Sequence, residues 1–299
     1  MLTHVRFLAT DGYKLAGLLY NPSPKTKKVT IYLHGNGYGS IFESVEKMNI
    51  FGTALNKNDI AFFPFNNRGS NMVRKLKRDV DGVEEETKGG TAYEIIKDCI
   101  QDIDGAIDYL KTQGFKEFYI IGESTGANKI CVYNFYKKNN EISKVVLLSG
   151  GDDTGIYFQT LGKEEFFRLL AKAKEEIKKG NGRNIMTEVD FGLSWQSFYN
   201  TCDPNGDYNI FPYIEYFTKE KISSKKLFRE YETLTMPVLV VYGANDEYTY
   251  GRVPEIIKVL EEKSNSVHFK GVIIPDTDHG LTGKLEEGAS IIADWLKNS

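Results

Sequence analysis

Gly122-Glu123-Ser124-Thr125-Gly126 stands between the apolar run Glu117-Phe118-Tyr119-Ile120-Ile121 and the segment Ala127 to Lys138. The first flank has strand composition and the second reads as a helix. A serine on the sharp turn between a strand and a helix stands with its hydroxyl exposed at the sheet edge. Glycines on both sides let the helix and a neighbouring strand come close to the turned backbone. The five-residue pattern alone is weak, since average Gly and Ser usage gives roughly one chance match in ten chains of this length. Its weight comes from the stretches around it.

Upstream, Val29-Thr30-Ile31-Tyr32-Leu33 is a continuous apolar run of the kind buried in a parallel sheet, and it ends in His34-Gly35-Asn36-Gly37. Ser44 to Leu55 has helical spacing, and Ile60 to Phe65 is a further apolar strand closed by Asn66-Asn67-Arg68-Gly69. Asp11-Gly12 between Val5 to Ala9 and Leu15 to Tyr20 predicts an opening antiparallel hairpin. Residues 70 to 91 are charged and read as an exposed excursion. Ala92 to Thr112 then predicts a long helix with Ile95, Cys99, Ile103, Ala106, Ile107 and Leu110 on one face.

Downstream of the elbow, Lys144 to Ser149 is a buried strand. Residues 151 to 235 lose the alternation: Lys163 to Lys179 is a charged amphipathic helix, followed by a tract rich in aromatics that includes Trp195. This is too long for a connecting loop and predicts a helical insertion. Val238 to Tyr242, a helix over Val253 to Lys263, the strand Val272 to Pro275 and a closing helix over Lys284 to Lys297 complete the chain. Strands alternating with helices imply an α/β class with a mostly parallel sheet.

With 299 residues, 41% apolar and 26% charged, the chain can bury a full core. No apolar run approaches the roughly 20 residues of a bilayer span, and Met1 to Arg6 lacks a signal pattern, so a cytoplasmic location is the default expectation. Cys99, Cys131 and Cys202 suit neither a disulfide framework nor a zinc site. A formal net charge of -3 with interleaved lysines and acids argues against nucleic acid as a partner. Oligomeric state has no signature here.

A serine hydroxyl attacks a carbonyl well only when a base takes its proton and a carboxylate holds that base in one tautomer. His279, in Asp276-Thr277-Asp278-His279-Gly280 after the last strand, is the candidate base; His4 and His268 lie outside any motif. Asp246, in the turn after Tyr242, is preferred as the orienting acid over its neighbour Glu247 and over Asp276 and Asp278, which sit too close in sequence to His279. The amide of Thr125 at the helix start, and that of Asn36 in the glycine-rich turn, are the candidate oxyanion donors. That turn is neither G-x-G-x-x-G nor a P-loop, which sets aside a phosphate cradle. Arg68 is expected to tie loops together rather than bind an anionic group. Tyr38 and Trp195 are candidate substrate contacts, though aromatics of this tract more readily fill a core.

Taken in order, His34-Gly35-x-Gly37, Gly122-x-Ser124-x-Gly126, Asp246 and His279 resemble the alpha/beta-hydrolase superfamily across essentially the whole chain. The Asn67-Arg68-Gly69 turn is similar to the Asp-x-Arg-Gly turn of many members, with Asn66 where they carry Asp. The resemblance implies an eight-stranded sheet in a core of residues 1–150 and 236–299, with a cap over 151–235 inserted after the sixth strand. It implies Ser124 as nucleophile, His279 as base and Asp246 as orienter. The expected activity is hydrolysis of a small-molecule carboxylic ester through an acyl-enzyme, with no metal or organic cofactor. Two rivals remain open: amide or peptide cleavage by the same three residues, and a catalytically silent member that binds a ligand.

Overall fold

A computed structural model describes residues 1–37 and 39–299. Strands β1 (Leu2–Leu8), β2 (Lys14–Tyr20) and β3 (Lys28–Leu33) are followed by helix α1 (Val45–Lys57) and strand β4 (Ala61–Asn66). Strands β5 (Arg74–Val80) and β6 (Val83–Gly89) lead to α2 (Cys99–Thr112), β7 (Glu117–Glu123), α3 (Thr125–Tyr136) and β8 (Ile142–Leu148). Helices α4 (Asp153–Leu161), α5 (Lys163–Lys178), α6 (Trp195–Cys202) and α7 (Tyr213–Thr218) come next. The chain then closes with β9 (Val238–Gly243), α8 (Val253–Lys263), β10 (Phe269–Ile274) and α9 (Leu285–Asn298).

Eight of these strands form one sheet in the order β1-β2-β4-β3-β7-β8-β9-β10. β1 and β2 are antiparallel, β2 is antiparallel to β4, and every pair from β4 to β10 is parallel. Burial on both faces explains the continuous apolar runs, because successive side chains point to opposite sides. Ile120, Val145, Leu147, Val238 and Val240 join the cluster beneath α2, α3 and α8. Ile121, Val146, Leu148, Leu239 and Val241 join the one beneath α1 and α9. From β3 the chain steps outward to β4 and later returns to β7 on the other side, so the direction of winding reverses between β3 and β7. In open α/β sheets, ligands bind at such a reversal, beyond the carboxyl ends of the strands. The β3–β7 boundary is where His34 to Asn36 and Ser124 emerge.

The structure adds to two expectations and corrects a third. Residues 70 to 91 form the exposed excursion, and it is regular: β5 and β6 pair antiparallel from Arg74↔Gly89 to Val80↔Val83, mostly exposed or half-buried. Asp81 and Gly82 make the tight turn with φ of 52° and 83°, as a two-residue hairpin turn requires. The helix over 92 to 112 begins only at Cys99. Before it, short 3-10 turns carry Thr91 to Tyr93 and Ile96 to Asp98, and Ile95 is exposed rather than on the buried face. In the insertion, α4 precedes the expected charged helix. Here Asp152 caps α4, accepting from Gly155 N at 2.7 Å and from Ile214 N at 2.8 Å. Between β8 and β9, helices α4, α5 and α6 share their own apolar cluster of Phe158, Phe166, Leu169, Trp195 and Phe198.

Candidate active site

A single residue, Ser124, turns the chain from β7 into α3, with φ 55° and ψ -128°. A serine in that region stores about 1–3 kcal/mol of backbone strain, which persists only where the surroundings enforce it. They do so here: Ser124 N donates to Leu148 O at 2.9 Å, and Ala127 N donates back to Ser124 O at 2.8 Å. The flanking glycines answer to backbone contact. A Cβ on Gly122 would lie 2.3 Å from Gly126 O, and one on Gly126 would lie 2.2 Å from Leu33 O. Gly35 packs against the serine itself, its hypothetical Cβ 2.8 Å from that of Ser124.

Asp246 leaves the end of β9 almost fully buried, and its Oδ2 is 2.9 Å from His279 Nδ1. Its Oδ1 accepts from Tyr248 N at 2.9 Å, which fixes the carboxylate plane. Burial alone would depress the imidazole. The hydrogen bond and charge of Asp246, with Glu123 and Glu247 behind, outweigh it and raise His279 above its usual 6.5. The Tyr248 ring sits edge-on to the imidazole, centroids 4.7 Å apart. His279 Nε2 and Ser124 Oγ each lack a hydrogen bond among the described residues. Such bonds are often long before substrate arrives.

Glu247 Oε2 accepts from the His279 main-chain N at 3.1 Å, a tie the sequence does not announce. Asp278 is spent on its own loop, Oδ1 accepting from Gly280 N and Thr282 N at 3.1 and 2.9 Å. Next to the serine, Glu123 accepts from Tyr32 and holds Lys47 Nζ at 2.6 Å. Burial would raise that carboxyl, but Lys47 draws it below the usual range.

The two candidate oxyanion donors are free: among the described residues, neither Thr125 N nor Asn36 N donates to a protein acceptor. The Asn36 turn is pinned one residue on, where Gly37 N donates to Thr91 Oγ1 at 2.9 Å. Asp153, at the start of α4, also faces this region, and no sequence motif marks it. It accepts from Asn128 Nδ2 at 3.2 Å. Burial lifts its carboxyl to about 7, against the pull of the Thr125 hydroxyl and the Lys129 ammonium.

Tyr38 lies outside the described residues. Trp195 is buried in the insertion's own apolar cluster beneath the Lys172 ammonium. Arg68 is consumed by Asp11 and Asp102, at 2.9 and 2.7 Å. The three cysteines are buried free thiols. Among the described residues no group of three His, Cys, Asp or Glu side chains is placed to hold a metal, and no helix is long and apolar enough to cross a membrane.

Comparison with known proteins agrees with this architecture. The model of a family described as "Protein of unknown function (DUF1749)" matches residues 89–297. No curated protein sequence matches significantly. Among solved structures, Est1E from Butyrivibrio proteoclasticus with bound ferulic acid superimposes with a TM-score of 0.65 at 16% identity, covering 98% of each chain. The Pyrococcus furiosus esterase Pf2001 gives 0.59 at 18% identity, over 99% of this chain and 92% of its own. A soluble variant of Saccharomyces cerevisiae monoglyceride lipase, in complex with a substrate analogue, gives 0.58 at 15%, over 97% and 93%. At these identities the likeness establishes the fold, which is that of the alpha/beta hydrolases.

Proposed function

The chain belongs to the family described as "Protein of unknown function (DUF1749)", and from its site we propose that it is a serine hydrolase that cleaves a carboxylic ester through an acyl-enzyme. The observation that carries this reading is the 2.9 Å bond between His279 Nδ1 and buried Asp246, on a loop held beside a strained, hydroxyl-bearing turn. A buried carboxylate bonded to Nδ1 leaves Nε2 as the basic nitrogen and stabilises the imidazolium that forms there.

In this mechanism Ser124 Oγ attacks the substrate carbonyl while His279 Nε2 takes the hydroxyl proton. The oxyanion gathers between the amides of Asn36 and Thr125, the latter at the positive end of α3. Collapse expels the alcohol, which leaves with the proton from His279. Water then attacks the acyl carbon as it gives a proton to the same nitrogen, and collapse breaks the bond to Ser124 Oγ, which takes that proton back as the acid leaves. An ester is favoured over an amide because the structural relatives are named as esterases and a monoglyceride lipase. Helices α4 to α7 serve in this reading as the cap, within residues 151–235.

The test is to incubate the native protein with a fluorophosphonate, locate the adduct by mass spectrometry, and assay nitrophenyl esters of rising chain length. Labelling at Ser124 and a loss of at least about 10,000-fold in turnover in Ser124→Ala, with the fold intact, are expected. No adduct and no turnover on any ester would overturn the proposal.

A further inference from the structure

Lys129 sits one turn into α3, the helix whose first amide is the Thr125 donor, and its side chain is fully buried. A buried ammonium needs all three of its hydrogens satisfied, and this one has three oxygen partners. Glu94 Oε1 lies at 2.6 Å, Asn67 Oδ1 at 3.3 Å and Asn36 Oδ1 at 3.5 Å. The other end of the Asn36 side chain is also engaged, Nδ2 donating to the Tyr208 hydroxyl at 3.3 Å. Tyr208, from the segment between α6 and α7, donates in turn to Glu94 Oε2 at 2.9 Å. The ring of contacts therefore runs Lys129, Asn36, Tyr208, Glu94 and back to Lys129, with Glu94 and Tyr208 as buried as Lys129 is.

The geometry points to Lys129, Glu94 and Tyr208 as positioning residues that set the gap between the two oxyanion donors of the proposed hydrolase, by bridging the Thr125 helix to the Asn36 turn. This rests on the hydrolase reading and adds to it. A buried ion pair gives little net stability compared with apolar side chains of the same volume. A directional bond from a side chain on the helix of one donor to the residue that carries the other, however, fixes a separation that apolar packing leaves loose. Oxyanion donors act only when aimed at the position the charged oxygen will occupy, so a loosened Asn36 turn costs transition-state binding rather than substrate binding. Because Tyr208 comes from the insertion, the same ring makes the donor spacing depend on how that segment is seated.

Removing Lys129 alone would strand Glu94, so the test uses Tyr208→Phe, which deletes one hydroxyl, and the paired variant Lys129→Met with Glu94→Leu. For each, kcat and KM on a nitrophenyl ester are measured with the affinity for an alkyl boronic acid, whose adduct mimics the tetrahedral intermediate, and with the melting temperature. The expected result is a kcat roughly tenfold or more below wild type, KM within about twofold, and boronate affinity falling in step with kcat/KM. Variants that melt like wild type and keep kcat within twofold, while fluorophosphonate still labels Ser124, would overturn the positioning role and leave the hydrolase reading standing. Wild-type protein that neither labels nor turns over would overturn both.

Discussion

Ser149 Oγ donates to the main-chain carbonyl of His279 at 3.0 Å. Ser149 follows Leu148, whose carbonyl accepts from Ser124 N, so one residue at the end of β8 ties the histidine loop to the strand edge that holds the serine turn. The loop is held a second time by Glu247 on the His279 amide and a third by Asp246 on its ring. Three anchors on one loop place the imidazole without any regular secondary structure around it.

The first expectation concerns pH. In the proposed mechanism His279 must be neutral to accept a proton, so kcat/KM should rise with pH through its free-enzyme pKa, which lies above 6.5 because Asp246 outweighs burial. Asp246→Asn removes that charge and should move the limb to lower pH while cutting the rate by about 10,000-fold. The stability sign follows from the same shift. A raised imidazole in the folded state contributes stability fully present below its unfolded value of about 6.5 and lost as pH climbs through the folded one. A pH–rate profile and denaturation at several pH values check both.

Strain at the serine gives a second expectation. With φ 55° and ψ -128°, residue 124 occupies backbone space that glycine tolerates better. Ser124→Gly should abolish turnover yet raise unfolding free energy by about 1 kcal/mol. Urea denaturation reads the difference, and a destabilised variant would mean that the turn is not strained.

The glycine at 126 should be intolerant for the opposite reason. Gly126→Ala drives a Cβ against the Leu33 carbonyl, 2.2 Å away, and that strand edge cannot move without shifting the turn that carries Asn36. A loss of about 1–3 kcal/mol from overpacking is expected, together with a fall in kcat, measured by denaturation and ester assay on the folded fraction.

How much of this was readable beforehand divides along physical lines. The parallel strands and the serine turn are local: unbroken apolar runs, glycines at fixed offsets and a helix start lie within a few residues of one another. The pairing of Asp246 with His279 is legible in their places after successive strands, and the 2.9 Å bond is that pairing. The hairpin of β5 and β6 hid behind its charges, although Asp81-Gly82 carried the turn signal. The break before Cys99 left no local mark, because Glu94 turns inward to reach Lys129, a partner set by tertiary packing. Lys129 itself reads as surface in any amphipathic pattern, and only the acid waiting in another element explains its burial.

Arg68 supplies the last expectation, one that separates a structural tie from a substrate contact. Its backbone N donates to Asp102 Oδ2 at 2.9 Å, its Nε to Asp102 Oδ1 at 2.9 Å, and its two terminal nitrogens to Asp11 at 2.9 Å each. The guanidinium also stacks over Tyr13, 4.6 Å from the ring centre. Asp102 is fully buried, and burial raises its carboxyl against the opposing pull of Arg68. Arg68→Ala leaves that carboxylate buried and uncompensated, at a cost of about 3–5 kcal/mol. The sign with pH is set by Asp102: without Arg68 its folded pKa rises further, so the variant loses stability as pH rises past the unfolded carboxylate value and recovers part of it in acid. The destabilisation should therefore be larger at pH 8 than at pH 5, and turnover per folded molecule should stay within about twofold of wild type. A variant that melts like wild type but loses ester turnover would instead make Arg68 part of the substrate site.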